Sequence, residues 1–348
     1  MKQNTPLKTI PYGWGLAIIV LLLAILALFL SYWPPLEDAW STFTTVFLGI
    51  FIEAVPFLLL GTLASGFVEV YVNQDSIRKF TPASPILGAI MGSLMGMFFP
   101  VCECGVVPLT RRLFRKGLPI PAGIAFLLAA PVINPVVILS TASAFGFGQM
   151  LLMRIVFTLL IAITVGLIFT VVKEPWDILQ PTLWITSETA DVHEHHHHHG
   201  ADEEDHAHVV GHWQKLEQVF QVTLDEFFEI GRYLVLGSLI SAGMQAFIPQ
   251  NILLNVGKGP ILSVLVMMGL AILLSICSTV DSFVSLGFMG IFSHGSILAF
   301  LLYGPMVDIK STLMFLRVFR PRVVFYLVAI PFVLVLLITV SMNYFWVW

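Results

Sequence analysis

The sequence predicts an all-α integral membrane protein, because its composition, its hydropathy and the placement of its charges all point the same way. Apolar residues make up 57% of the 348 residues and charged residues only 11%, whereas soluble domains carry about a quarter charged residues. The mean hydropathy is +0.92. A surface so poor in charge requires surrounding lipid, so we predict a multi-pass protein of the cell (inner or plasma) membrane.

Seven apolar runs are long enough to cross a bilayer as helices, at 14–33, 43–71, 120–142, 149–172, 222–247, 297–316 and 322–346, since a span takes about 20 residues. Two further runs are interrupted. The run from 85 breaks at Pro100 and the run from 260 breaks at 277–281, and each resumes only briefly. We therefore predict about seven spans and two re-entrant hairpins.

The two halves of the chain repeat each other in order. Asn134 follows Pro131 by three residues, as Asp308 follows Pro305, and the offset between the two motifs is 174 residues. We predict an N-terminal span and interface in 1–41, a first membrane repeat in 42–172, a polar loop in 173–218 and a second repeat in 219–348. Placing the basic 111–116 segment in the cytoplasm gives the halves opposite orientations. Inverted repeats with broken helices are typical of secondary transporters.

The first predicted break carries Cys102-Glu103-Cys104 between Pro100 and Gly105, and Cys277 lies at the equivalent break of the second half. Thiolates prefer soft species such as trivalent arsenicals, Cu(I), zinc and cadmium. These side chains therefore indicate a site for a thiophilic substrate. The alternative is that the cysteines are small packing residues.

Other polar residues lie at membrane depth, where burial is costly and such groups are usually functional or paired. We expect Asn134, Asp281 and Asp308 to shape the substrate site, with an ion pair between Asp308 and Lys310 as the alternative for Asp308. Two carboxylates, Glu53 and Glu229, are candidates for proton coupling. Two arginines at span starts, Arg154 and Arg322, are expected to extend toward the interface.

The polar loop contains a histidine-rich run, and imidazoles bind zinc and related metals. The candidate metal ligands are His193, His195, His196, His197, His198, His199, His206 and His208. The alternative is a low-complexity spacer. No required cofactor, nucleic-acid contact or catalytic motif is indicated, so we expect a transporter and not an enzyme.

The segments 100–108, 125–135 and 277–281 resemble the predicted-permease family that includes the methylarsenite efflux permeases, and the resemblance extends over about 42–340. It implies an inner-membrane permease in which Cys102 and Cys104 carry a thiophilic substrate. Some family members accompany a second membrane or lipoprotein partner.

The leading interpretation is a secondary permease that exports a thiophilic metal or metalloid. One alternative is a zinc-type divalent-metal transporter whose histidine-rich loop collects ions. An alternative of another class is a non-transporting membrane scaffold or thiol redox component of a partner complex.

Overall fold

A computed structural model describes residues 36–82, 84–99, 101–171, 177–180, 212–247 and 259–345. The predicted span at 14–33 and the histidine-rich run lie outside the described residues. Within the described ranges the chain forms helices and two isolated β-bridges, without a strand. In chain order the helices are α1 Leu36–Tyr71, α2 Gln74–Phe80, α3 Pro85–Met95, α4 Glu103–Arg115, α5 Ile120–Ile133, α6 Pro135–Phe145, α7 Gln149–Ile168, α8 His212–Phe247, α9 Leu262–Leu274, α10 Asp281–Leu286, α11 His294–Met306, α12 Ile309–Val318 and α13 Pro321–Phe345.

The predicted all-α membrane fold is confirmed. Among the described residues, six helical stretches are long and apolar enough to cross a bilayer, namely Asp38–Tyr71, Ile120–Phe145, Gln149–Val171, Trp213–Phe247, His294–Val318 and Pro321–Phe345. They coincide with six of the seven predicted spans. Two shorter apolar helices, Pro85–Met95 and Leu262–Leu274, stand where the sequence predicts the interrupted runs.

Two of the spans are broken near their middle. Asn134 separates α5 from α6, and Asp308 separates α11 from α12. The residue before a proline is pushed into extended conformation, which explains why Asn134, which precedes Pro135, has ψ of 161°. Asp308 is also extended, and it forms a capping box with Ser311.

The broken spans form the centre of the molecule. In the first half α5 packs between α3 and α7, and in the second half α11 packs between α9 and α13. Helices α5 and α11 also contact each other. In the apolar part of each of their spans 78% of the residues are buried, against 28–39% in the other four spans. The two longest helices, α1 and α8, pack along each other beside this core.

Helix α4 lies against α1 with almost no side chain between the backbones. A Cβ atom added to Gly61 of α1 would lie 2.2 Å from the Cα atom of Gly105. Only glycine permits this approach. The contact fixes the start of α4, which carries the first predicted site residues, against the middle of α1.

Both ends of the segment predicted as a polar loop have structure. Helix α8 begins at His212, well before the predicted boundary at 218. Leu179 forms an antiparallel bridge with Phe319, and the amide of Arg320 donates to the carbonyl of Ile178 at 2.8 Å. The start of this segment is therefore attached to the loop between α12 and α13.

Candidate substrate site

The first break brings the Cys-Glu-Cys motif to the start of α4. Cys102 is the extended N-cap residue, while Glu103 and Cys104 already belong to the first helical turn. The side-chain amide of Asn134 donates to the carbonyl of Val101 at 3.2 Å, and its oxygen accepts from the amide of Val137 at 2.9 Å. Asn134 thus caps α6 and holds the first break in place.

The second break makes the equivalent contact. After α9, Ser275 adopts a left-handed conformation with φ of 47°, and its hydroxyl donates to Asp308 Oδ2 at 2.6 Å. Val101 precedes Asn134 by 33 residues, and Ser275 precedes Asp308 by the same 33 residues. In each half the polar residue of the broken span is therefore bonded to the hairpin break of its own half. The inverted orientation of the halves stays a prediction.

Lys310 connects the two halves at this level. Its ammonium nitrogen lies 3.5 Å from Asp308 Oδ2 and 3.5 Å from Glu103 Oε1. The sequence indicated the pairing with Asp308 as an alternative, and the structure contains it. The pairing with Glu103 was not predicted, since a partner 207 residues away along the chain leaves no local signal.

The three cysteines are free and buried. All three belong to the same cluster of buried side chains, so the predicted break residues lie in one part of the core. We call this group the central cluster, and its members are Cys102, Glu103, Cys104, Cys277, Asp308 and Lys310.

The central cluster is unbalanced in charge. With both carboxylates ionised, two negative groups face the single ammonium of Lys310. The second oxygen of Glu103, Oε2, is buried and has no hydrogen-bond partner among the described residues, and such groups are rare because burial without a partner is costly. Within the same residues, no group of three or more His, Cys, Asp or Glu side chains is arranged to hold a metal ion.

Asp281 lies in a second buried charge pair. Arg154 of α7 contacts Asp281 at 2.7 Å, with the two side chains only 1% and 3% exposed. Arg154 also donates to Thr141 and Ser282, both at 2.9 Å. The expectation that Arg154 extends toward the interface is wrong, because a carboxylate of the other half neutralises it inside the protein. Arg322, by contrast, is exposed at the start of α13.

The two candidates for proton coupling have different surroundings. Glu53 is half-buried in α1 and accepts a hydrogen bond from Thr279, in the second break, at 3.3 Å. Glu229 of α8 instead forms ion pairs with Arg111 at 3.0 Å and Arg317 at 2.7 Å. Glu53 therefore contacts the region of the central cluster, whereas Glu229 belongs to a separate group of charges.

We call that group the ionic cluster. Besides the two pairs of Glu229, Arg112 contacts Glu226 at 2.6 Å and Glu69 at 3.2 Å, and Lys116 lies 3.8 Å from Glu69. These pairs attach α4 and α12 to the long helices α1 and α8. The repeat counterparts of α12 and α4 are α6 and α10, and these pack on each other but have no comparable packing with α1 or α8. The ionic cluster therefore holds the long helices against the core at the basic end, while further along α8 contacts α9 through Ser241 and Gln245.

The fold and the central cluster define a membrane transporter: a helical membrane protein with broken spans and charged groups buried at the breaks. The chain matches the family ArsP_1, described as predicted permease, over residues 39–344, and it belongs to that family.

Two relatives are similar over nearly their whole length. The UPF0718 protein YcgR of Bacillus subtilis (strain 168) is 39% identical over 303 residues, which are 86% of this chain and 96% of that protein. A putative two-component membrane permease complex subunit of Streptococcus mutans is 36% identical over 281 residues, 80% of this chain and 87% of that protein. No solved structure gives a significant match.

Proposed function

We propose that this permease moves a small thiophilic cation or metalloid through the central cluster, and that export is the direction. The observation that carries the proposal is that two carboxylates, Glu103 and Asp308, are buried on the single ammonium of Lys310 beside free thiols at the two hairpin breaks. Burying a carboxylate costs free energy, and packing alone gives no reason to place a carboxylate in the core. Soft species are the ones that thiols select.

The charge of the central cluster favours a cationic substrate. Two carboxylates, Glu103 and Asp308, share the one ammonium of Lys310. We expect Lys310 to act as the resident counter-ion and to move aside when a cation enters. A thiol that binds the substrate loses its proton, and Glu103 is the nearby carboxylate available to accept it. This transfer links substrate binding to the protonation of Glu103.

Alternating access follows from the packing of the long helices. The ionic cluster closes α1 and α8 against α4 and α12. With the basic residues in the cytoplasm, the central cluster is closed to the cytoplasm in this state, while α6 and α10 leave the opposite side less tightly packed. Breaking the ionic cluster is then the step that admits substrate from the cytoplasm.

The test is uptake into inside-out membrane vesicles, with methylarsenite, Cu(I), zinc and cadmium offered separately. Replacing Cys102, Cys104 and Cys277 together by serine should abolish uptake of the true substrate, and Glu103→Gln should reduce it strongly. Glu217→Gln is the matched control, because Glu217 is exposed on α8. Uptake of every species at the wild-type rate by the serine variant would refute the proposal.

Replacing the histidines of the histidine-rich loop distinguishes the proposed thiophilic transport from the zinc-type alternative. If the loop collects ions, replacing its histidines should lower zinc uptake at low zinc concentration and leave uptake at saturation unchanged. If the variant takes up zinc at the wild-type rate at both concentrations, the loop is a spacer.

A partner subunit is the remaining part of the proposal. The Streptococcus mutans relative is named as a subunit of a two-component permease complex, and we extend that arrangement to this chain. Purification from its native membrane in mild detergent should yield a second membrane or lipoprotein component in constant ratio. Recovery of the chain alone, with transport intact after reconstitution, would exclude a required partner. A scaffold or redox role would instead leave the chain without uptake even when it is reconstituted together with that partner.

A further inference from the structure

A cavity of about 210 Å³ lies apart from the central cluster, at the ends of α6, α7, α11 and α13. Half of its eight lining residues are methionines, although the whole chain has only 13 methionines among 348 residues. A random set of eight lining residues would contain fewer than one. The lining residues are Phe145, Gln149, Met150, Met153, Met289, His294, Leu298 and Met342.

The lining has the chemistry of a soft-metal site. Thioether sulfur atoms select Cu(I), and imidazole is a common additional ligand of copper. Among the described residues no carboxylate or thiol lines the cavity, so no anionic side chain there offsets a double positive charge, and Gln149 alone among the described lining side chains supplies an oxygen ligand of the kind that Mg²⁺ and Ca²⁺ prefer. A monovalent soft cation is the species that this donor set fits.

Packing alone does not explain these methionines. Methionine fills irregular gaps in protein cores because it is flexible. Here the gap is not filled, and Met289 is 42% exposed while His294 is exposed as well. Thioether groups therefore line an open cavity that an ion can enter.

The cavity lies at the opposite end of the bundle from the ionic cluster. Arg317 of the ionic cluster precedes the start of α13 at Pro321, whereas Met342 is 21 residues further along that helix. At 1.5 Å per residue this separation is about 30 Å, which is the thickness of the hydrocarbon core. The cavity thus opens at the membrane face opposite to the basic residues.

We propose that the cavity formed by Met150, Met153, Met289, Met342 and His294 binds one monovalent soft metal ion, Cu(I) or Ag(I), at the outer face of the membrane. The site does not require that the central cluster bind metal, so the two proposals stand or fall separately.

The test uses Ag(I), which needs no reducing agent, on the full-length chain purified in detergent with all three cysteines replaced by serine. X-ray absorption at the silver edge then distinguishes sulfur ligands from the nitrogen ligands of the histidine-rich loop. Since no thiol remains, a silver–sulfur shell has to come from methionine. We expect about one sulfur-bound silver per chain.

Met→Leu substitutions keep the volume of the side chain. Replacing the four cavity methionines should remove the silver–sulfur shell. Replacing Met91, Met97 and Met244, which are half-buried elsewhere, should leave it intact. No sulfur shell in the cysteine-free chain, or a shell that persists after the cavity substitutions, would overturn the proposal.

A second measurement covers the case in which the cysteine-free chain does not fold. In the chain with its natural cysteines, the cavity substitutions should lower the silver bound at saturation by one equivalent relative to the control substitutions. Equal binding by the two variants would count against the cavity. Vesicle uptake that depends on the cysteines is a separate readout and reports on the central cluster alone.

Discussion

The buried pair of Arg154 and Asp281 gives the sharpest prediction about what holds the two halves together. At a nitrogen–oxygen distance of 2.7 Å and an effective dielectric constant of about 20, the attraction is about 6 kcal/mol. Burying both charges cancels much of that gain. The pair therefore contributes little net stability, but removal of one partner leaves the other charge buried and uncompensated.

We expect Arg154→Met and Asp281→Asn each to lower the free energy of unfolding by about 3–5 kcal/mol. The double variant removes both charges and should be more stable than the sum of the single losses indicates, with a coupling energy of about 2–3 kcal/mol. Equilibrium unfolding in mixed micelles, followed by circular dichroism, measures all three differences. Arg322→Met is the control, because Arg322 is exposed on the helix that follows the ionic cluster, and it should change stability little.

Two results would refute this reasoning. Additive losses in the double variant would mean that the charges act independently, and a loss below about 1 kcal/mol in either single variant would mean that the remaining charge is solvated. The same variants also test the expected role of Asp281 in substrate binding. If the double variant folds and still takes up the thiophilic substrate, Asp281 serves to join the halves and does not bind the substrate.

Three further predictions concern single contacts. Gly61→Ala should prevent the close approach of α1 and α4 and reduce the yield of folded protein in size-exclusion chromatography. Gly49→Ala, on the same helix with no atom within 4 Å of an added Cβ, should be tolerated. Equal yields of the two variants would contradict the close packing of Gly61 against Gly105. Arg112→Gln should break two ion pairs of the ionic cluster and increase labelling of the central cysteines by a thiol reagent added from the cytoplasmic side. Arg322→Gln is the control and should not change the labelling. Unchanged labelling in Arg112→Gln would mean that the ionic cluster does not control access to the central cluster. Ser275→Ala removes a hydrogen bond to a charged group and should cost about 1.5–3 kcal/mol of unfolding free energy. A loss near zero would show that Lys310 and Ser311 satisfy Asp308 without Ser275.

The spans could be predicted from the sequence because apolar length determines which segments cross a bilayer, and Pro100 indicated one of the two interrupted runs. The breaks at Asn134 and Asp308 were not predicted, because they lie within long apolar runs. Asn134 and Asp308 each contact a residue 33 positions earlier in the chain, and both cap the second half of a broken span. The repeated motif in the sequence indicated that these two residues have equivalent roles.

The pairing of charges could not be predicted in the same way. Arg154 stands near the start of an apolar span, where an arginine can extend to the interface, and only the fold brings Asp281 of the other half to it. Lys310 and Glu103 meet for the same reason. The methionines of the outer cavity come from three separate segments, so no sequence window contains them. Such sites depend on which helices are neighbours.

The two buried charge groups differ in a way that bears on function. Both oxygens of Asp281 accept from one arginine, so one negative charge is matched by one positive charge, as a structural pair requires. In the central cluster two carboxylates share one lysine at 3.5 Å, and it is this excess of carboxylate that distinguishes the two groups, since each has one buried polar atom without a hydrogen-bond partner among the described residues. The sequence led to the same expectation for Asp281 and Asp308, that both shape the substrate site. We therefore expect Asp308, in the group with the excess carboxylate, to contact the substrate and Asp281 to join the two halves, and both roles stay predictions.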